Sequence, residues 1–232
     1  MPRHNQTLLL DADDTLWENN VYFERAIAAF ISFLNHQQYT PAEVRDILNQ
    51  VERANVLQHG YGTQSFAHSL VATFEQLSAE PLTPALHETI HGFAHQIAEH
   101  PVEIIAGVPE TLAYLAPRHR LVLVTKGNAA EQAGKVERSG LKPYFSAIEI
   151  VREKNVAVYR DLAARHNFHH QSTWMIGNSP KSDVNPALAA GLNAVFVPHA
   201  DTWMLEHEEV GIPAPSGTLL KVESFAELQR HF

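Results

Sequence analysis

Four stretches of the chain hold residues able to act on a charged substrate. In Leu8-Leu9-Leu10-Asp11-Ala12-Asp13-Asp14-Thr15-Leu16-Trp17 an apolar run gives way to carboxylates and a threonine. Further on, Thr125 is followed by Lys126-Gly127-Asn128, Glu153 by Lys154, and Gly177 by Asn178-Ser179-Pro180-Lys181-Ser182-Asp183. Carboxylates crowded at one point repel one another unless a cation neutralises them. Mg²⁺ is the natural counter-ion, because it takes oxygen ligands and shares them with substrate phosphate. A hydroxyl and free backbone N–H groups ahead of a helix make an anion site. A fixed lysine stabilises negative charge as it develops. These residue types together describe metal-assisted chemistry on a phosphorylated substrate. Each also has a plainer use: Thr125 or Asp183 as a helix cap, Lys154 as a solvated cation, Asn178 as a turn former. Their joint occurrence, in order and each at the end of an expected strand, favours the chemical reading.

The elements that must position them follow from periodicity. Leu8–Leu10 reads as a buried strand. From about residue 19 to 103 every signal is helical. Asn20 to His36 has Phe23, Ile27, Phe30, Ile31 and Leu34 at helical spacing, and Thr40-Pro41-Ala42-Glu43 forms a capping box with proline at the first helical position. Two more helices are expected, from Gln64 to Ser78 and from Pro84 to near Pro101. This stretch is too long for a simple crossover and is expected to be an inserted helical cap. After Ala106 strands and helices alternate. Strands are expected at Arg120–Thr125, Ala147–Val151, Thr173–Gly177 and Asn193–Val197, with an edge strand at Leu219–Val222. Helices are expected to end at Leu115 and to span Ala129–Ser139, Val156–His166 and Val184–Ala190, with a last one capped by Ser224. Such alternation means parallel strands with crossover helices. The fold expected is therefore α/β: a Rossmann-like parallel sheet with helices on both faces, core residues 1–17 and 105–232, and an all-helical cap at 18–104. In open sheets of this kind ligands sit beyond the carboxyl ends of the strands, where all four stretches fall.

Composition narrows the function classes. The 232 residues are 45% hydrophobic and 19% charged, with no cysteine and a formal charge of −9. Lack of cysteine excludes thiolate catalysis and thiolate-bound zinc. The negative charge, without a Lys/Arg cluster, argues against nucleic acid or an anionic membrane as partner. No run approaches a membrane span. The residues before the first strand lack an apolar stretch of signal-peptide type, so a cytoplasmic protein is expected.

The four stretches resemble the motifs of the haloacid dehalogenase superfamily, in its phosphatase branch with a helical cap after the first motif. Gly107-Val108-Pro109-Glu110-Thr111-Leu112 also resembles the return from that cap. The resemblance implies an Mg²⁺-dependent phosphatase for a small phosphorylated metabolite. Asp11 would be the nucleophile, forming an aspartyl-phosphate, and Asp13 the general acid and then base. Thr125, Lys126, Gly127 and Lys154 would bind the phosphoryl group. Asp11, the carbonyl of Asp13, and Asp183 would hold Mg²⁺, with Asn178 beside them. Dehalogenases of the superfamily lack an acid at position 13, because halide leaves without a proton. Two positions depart from the pattern: Asp14 stands where glycine is common, and Asn178 where many members have a second acid.

Trp17, Glu18 and Asn19 follow the first motif at the expected hinge, so Trp17 and Asn19 are candidate substrate contacts. His87, His91 and His95 recur at four-residue spacing and are read as a solvated cap face, without a carboxylate to complete a zinc site. Two alternatives share the scaffold: a phosphomutase, and a regulatory protein that binds phosphate or a partner without turnover. A phosphonatase would want an early cap lysine, and none lies between Asp11 and His100. The sequence leaves oligomeric state and substrate identity open.

Overall fold

The computed structural model describes residues 3–35, 38–213, 215 and 217–232. His36, the expected end of the first helix, lies outside the described residues. The chain divides into two compact units, Met1–Asn20 with Val102–Phe232, and Val21–Pro101.

The first unit is built on six strands: β1 (Thr7–Leu10), β2 (Arg120–Lys126), β3 (Ala147–Val151), β4 (Thr173–Gly177), β5 (Asn193–Phe196) and β6 (Leu219–Lys221). They form one sheet in the order β3-β2-β1-β4-β5-β6, and every pairing is parallel. β1 is central, with Leu9 opposite Val122 on one side and Met175 on the other. Its three leucines are fully buried because both sheet faces are covered. Side chains alternate between faces. Leu8, Leu10, Leu121, Leu123, Trp174 and Ile176 pack with the helix Val108–Leu115 (α5), Val136 of the helix Ala129–Ser139 (α6), and Phe225, Leu228 and Phe232. Leu9, Val122, Val124 and Met175 pack instead with Tyr159 and Leu162 of the helix Val156–His166 (α7) and with Ala187. This is the doubly covered α/β sheet that the alternating pattern predicts.

Two elements differ from expectation. The chain after β4 starts with a π-helical turn at Pro180–Val184 and continues as a short α-helix, Asn185–Ala189 (α8). The extra residue per turn lets Ser179, rather than Asp183, cap it by accepting from the Ser182 N–H. The last helix is a 3₁₀ segment, Phe225–Arg230, and the Ser224 side chain makes no cap hydrogen bond. Its buried Phe225 and Leu228 hold it by packing.

The second unit holds four helices, α1 (Asn20–Leu34, whose first residue belongs to the other unit), α2 (Pro41–His59), α3 (Thr63–Leu77) and α4 (Pro84–Glu99). The capping box opens α2, and the Thr83 hydroxyl accepts from the Leu86 N–H at the start of α4. Phe30, Leu48, Phe66, Leu70 and Ile90 form its core. Arg45 binds both oxygens of Glu24 at 2.7 Å. No helix of the described residues is long and apolar enough to cross a membrane.

Buried Glu52 of α2 has one carboxyl oxygen without a hydrogen-bond partner. Burial raises its pKa to about 7, with Glu24 adding to the shift and Arg45 opposing it. The folded state thus keeps a proton between about pH 4.5 and 7 that the unfolded chain has released. Stability is therefore expected to fall as pH rises through that window, by on the order of 3 kcal/mol at most. Glu52→Gln should flatten the dependence of Tm on pH between 5 and 8. Parallel curves for the two proteins would show that the carboxyl does not keep its proton.

Candidate active site

The site lies where the central strands end. The Asp11 N–H donates to the Ile176 carbonyl at 2.9 Å, which carries the β1–β4 pairing one residue beyond β1. Asp11 is 6% exposed. One of its oxygens pairs with the Lys154 ammonium, and the other accepts from the Thr15 hydroxyl at 2.8 Å. Lys154 precedes α7, whose N-cap is Asn155, and its ammonium also lies 2.7 Å from Asp183 Oδ1. Asp183 Oδ2 accepts from the Ser179 N–H at 3.0 Å. The carboxylate is packed so closely on Gly177 that a Cβ there would lie 2.2 Å from Oδ2, so only glycine fits. One buried ammonium therefore faces two buried carboxylates. Burial, then the Asp11 charge, push the Asp183 pKa up to about 7 against the pull of Lys154. Lys154 titrates above the usual lysine range, because Asp11 and Asp183 outweigh its burial.

Asn178 braces this group. Its N–H donates to the Thr15 hydroxyl oxygen at 3.2 Å and its Nδ2 donates to Thr202 at 2.9 Å. It thereby ties the first motif to the loop after β5.

Asp13 stands apart from that triad. Its oxygens accept from the Trp17 indole at 2.7 Å, from Gln132 at 2.9 Å and from Lys135 at 2.6 and 2.8 Å. Burial alone would raise its pKa, but Lys135 and the three hydrogen-bond donors carry it below the usual carboxylate value. Lys135 and Gln132 are site residues that sequence reasoning missed. They lie three apart on α6 and so share a face, which is the only signal the chain offered.

Several expected phosphate contacts are otherwise engaged. Thr125 and Lys126 are adjacent in β2 and point to opposite faces. The Thr125 hydroxyl donates to Gln132 at 3.1 Å, which links it to Asp13. The Lys126 ammonium lies 2.7 Å from the Ser182 hydroxyl and 2.6 Å from Glu206. It is directed to the face opposite Thr125, where Ser182 and Glu206 engage it. The Gly127 N–H is likewise spent on the Val151 carbonyl at 3.1 Å. Glu206, in a 3₁₀ turn after β5, also accepts from Ser179 and Ser182. Trp17 is fully buried and orients Asp13, whereas Asn19 accepts from Lys135 at 3.0 Å. Asp14 takes φ 59°, in the left-handed region where glycine is at ease, and its Oδ1 holds the N–H groups of Asn19 and Asn20 at 2.9 and 3.0 Å. Burial raises its pKa to about 8, with the neighbouring carboxylates adding to the shift.

The donors around Asp11 and Asp183 are all oxygen, their charge exceeds that of Lys154, and Gly177 leaves the carboxylate room. This fits a hard dication such as Mg²⁺. Asp11, the Asp13 carbonyl and Asp183 are the groups that would hold it.

In the second unit the histidines of α4 part company. His87 stacks on His91 at 4.2 Å between ring centroids, with His68 and then His59 alongside. His95 instead lies 3.5 Å from Glu99.

A parallel sheet thus carries a buried aspartate–lysine–aspartate group at its central carboxyl edge. The chain belongs to the haloacid dehalogenase-like hydrolases, whose pattern it matches over residues 6–191. Among solved structures it is similar to a haloacid dehalogenase-like family hydrolase from Xanthomonas campestris, at 29% identity over 98% of this chain and 94% of that one, with a TM-score of 0.80. It shares its fold with the HAD-hydrolase YfnB from Bacillus subtilis, solved bound to magnesium, at 19% identity, 98% of each chain and a TM-score of 0.67. It also shares it with an L-2-haloacid dehalogenase from Xanthobacter autotrophicus, at 16% identity, 97% of each chain and a TM-score of 0.65. No curated protein matches the chain.

Proposed function

We propose that this hydrolase is an Mg²⁺-dependent phosphatase acting on a small phosphorylated metabolite. The observation that carries the reading is Asp13, a carboxylate two residues beyond the nucleophile and gripped by Lys135, Gln132 and Trp17. Departure of halide requires no proton, whereas departure of an alkoxide does. Asp11 attacks phosphorus, the bond to the leaving oxygen breaks, and that oxygen takes a proton from the Asp13–Lys135 pair. Water then gives a proton back to the pair as it attacks the aspartyl-phosphate, which releases phosphate and restores Asp11. Lys154 neutralises Asp11 and the phosphoryl oxygens. Thr15 and Asn178 keep the Asp11 carboxylate in line. Bound Mg²⁺ would supply Lewis-acid neutralisation of the phosphoryl charge.

The ionised resting state of Asp13 makes a specific demand. Asp13→Asn should still release nitrophenol from p-nitrophenyl phosphate in a burst, because nitrophenolate leaves unprotonated. Turnover should then slow about 10²–10⁴-fold, and alkyl phosphates should give no burst. A second reading, hydrolytic dehalogenation, is favoured by the neutral Asn178 at the last motif and by the dehalogenase whose fold the chain shares. The decisive assay offers a panel of phosphorylated metabolites with Mg²⁺, and 2-chloropropionate with chelator. Phosphate release abolished by chelator supports the phosphatase. Chloride release alone would replace it with the dehalogenase.

A further inference from the structure

We propose that Asp14, Glu18 and His199 form a second metal site, separate from Asp11 and Asp183, for a transition-metal dication of the Zn²⁺ class. Their ligand atoms all lie within 4.8 Å of one another. His199 Nε2 is 3.2 Å from Glu18 Oε2, already about the ligand–ligand edge of a tetrahedral zinc ion with bonds of about 2.0–2.1 Å. One imidazole with two carboxylates is a borderline donor set, which suits zinc better than the all-oxygen group around Asp11 does.

Two independent features favour a cation at this place. Asp14 is only 6% exposed. Its Oδ1 receives two short N–H bonds, but Oδ2 receives only a 3.3 Å share of the Asn20 N–H that already serves Oδ1. The second oxygen therefore has no donor of its own. Among the described residues, neither Asp14 nor Glu18 pairs with a lysine or arginine, and His199 is the sole basic partner of Glu18. Two carboxylates are thus gathered against one imidazole. Binding at Nε2 moves the imidazole proton to Nδ1 and gives up the 3.3 Å bond from the Asp201 N–H, and ligation by Asp14 releases to solvent the proton that burial favours there.

The site joins the loop after β1 to the loop after β5. Asp14 reaches it because it occupies a left-handed position where glycine would bring no side chain. The bound ion would clamp the residue next to Asp13 without touching the triad.

The test is Zn²⁺ binding by calorimetry, with Tm as a second readout, on chelator-stripped wild-type protein, on Asp183→Asn, which removes a ligand of the group around Asp11, and on His199→Ala and Glu18→Gln each made in that Asp183→Asn background. Asp183→Asn should bind one equivalent and gain Tm. His199→Ala and Glu18→Gln should lose affinity at least tenfold and lose the Tm gain. If circular dichroism shows that His199→Ala does not fold, Glu18→Gln decides. No binding by wild type would overturn the site. So would zinc binding that survives His199→Ala, or Glu18→Gln where that variant decides, and so would binding that disappears in Asp183→Asn.

Discussion

Asp11→Asn should abolish phosphatase turnover, by about 10⁴-fold or more, while leaving the protein folded. The substitution keeps the shape of the side chain and its contact with the Thr15 hydroxyl. It removes the charge that, in the proposed mechanism, attacks phosphorus. It also removes a carboxylate that repels Asp183, so stability should hold within about 1 kcal/mol. Quenched-flow mass spectrometry should find a phosphorylated wild-type protein and no phosphorylated variant. A variant that retained more than a few per cent of activity would remove Asp11 from the nucleophile's role.

Lys154→Met should have the second-largest effect, and on stability as well as rate. The ammonium is 2% exposed and serves two carboxylates. Removing one partner from a buried charge group costs about 3–5 kcal/mol, because the charges left behind cannot be solvated. Activity should fall by about 10²–10³-fold, the usual effect of losing one group that stabilises transition-state charge. The folded variant should depend more on Mg²⁺ than wild type does, since a dication is then the only neutraliser of Asp11 and Asp183. Thermal melts with and without Mg²⁺ read both effects. A variant as stable as wild type, with equal response to Mg²⁺, would contradict the ion group.

The sheet was legible because its signals are local. Leu8–Leu10, Leu121–Val124 and Trp174–Ile176 are short apolar runs, and the Thr40/Glu43 box opens its helix as written. Residues that meet only in three dimensions were not. Lys135 looks like any polar residue on an amphipathic helix, and only the fold sets it against Asp13. Glu206 sits in an irregular segment with no periodicity, yet it takes the ammonium of Lys126. Strand parity, which was in the sequence, already separates Thr125 from Lys126. The cluster of His59 and His68 with His91 joins three helices and leaves no trace in spacing.

The central place of β1 has a consequence for synthesis. Its neighbours are β2 and β4, so the opening leucines leave the ribosome long before either partner exists. One edge waits for residue 120 and the other for residue 173. Such delayed pairing leaves apolar strand edges bare on the nascent chain, where a chaperone would find them. Since Asp183 emerges after β4, a chain cut short before it carries Asp11 but not the completed charge group.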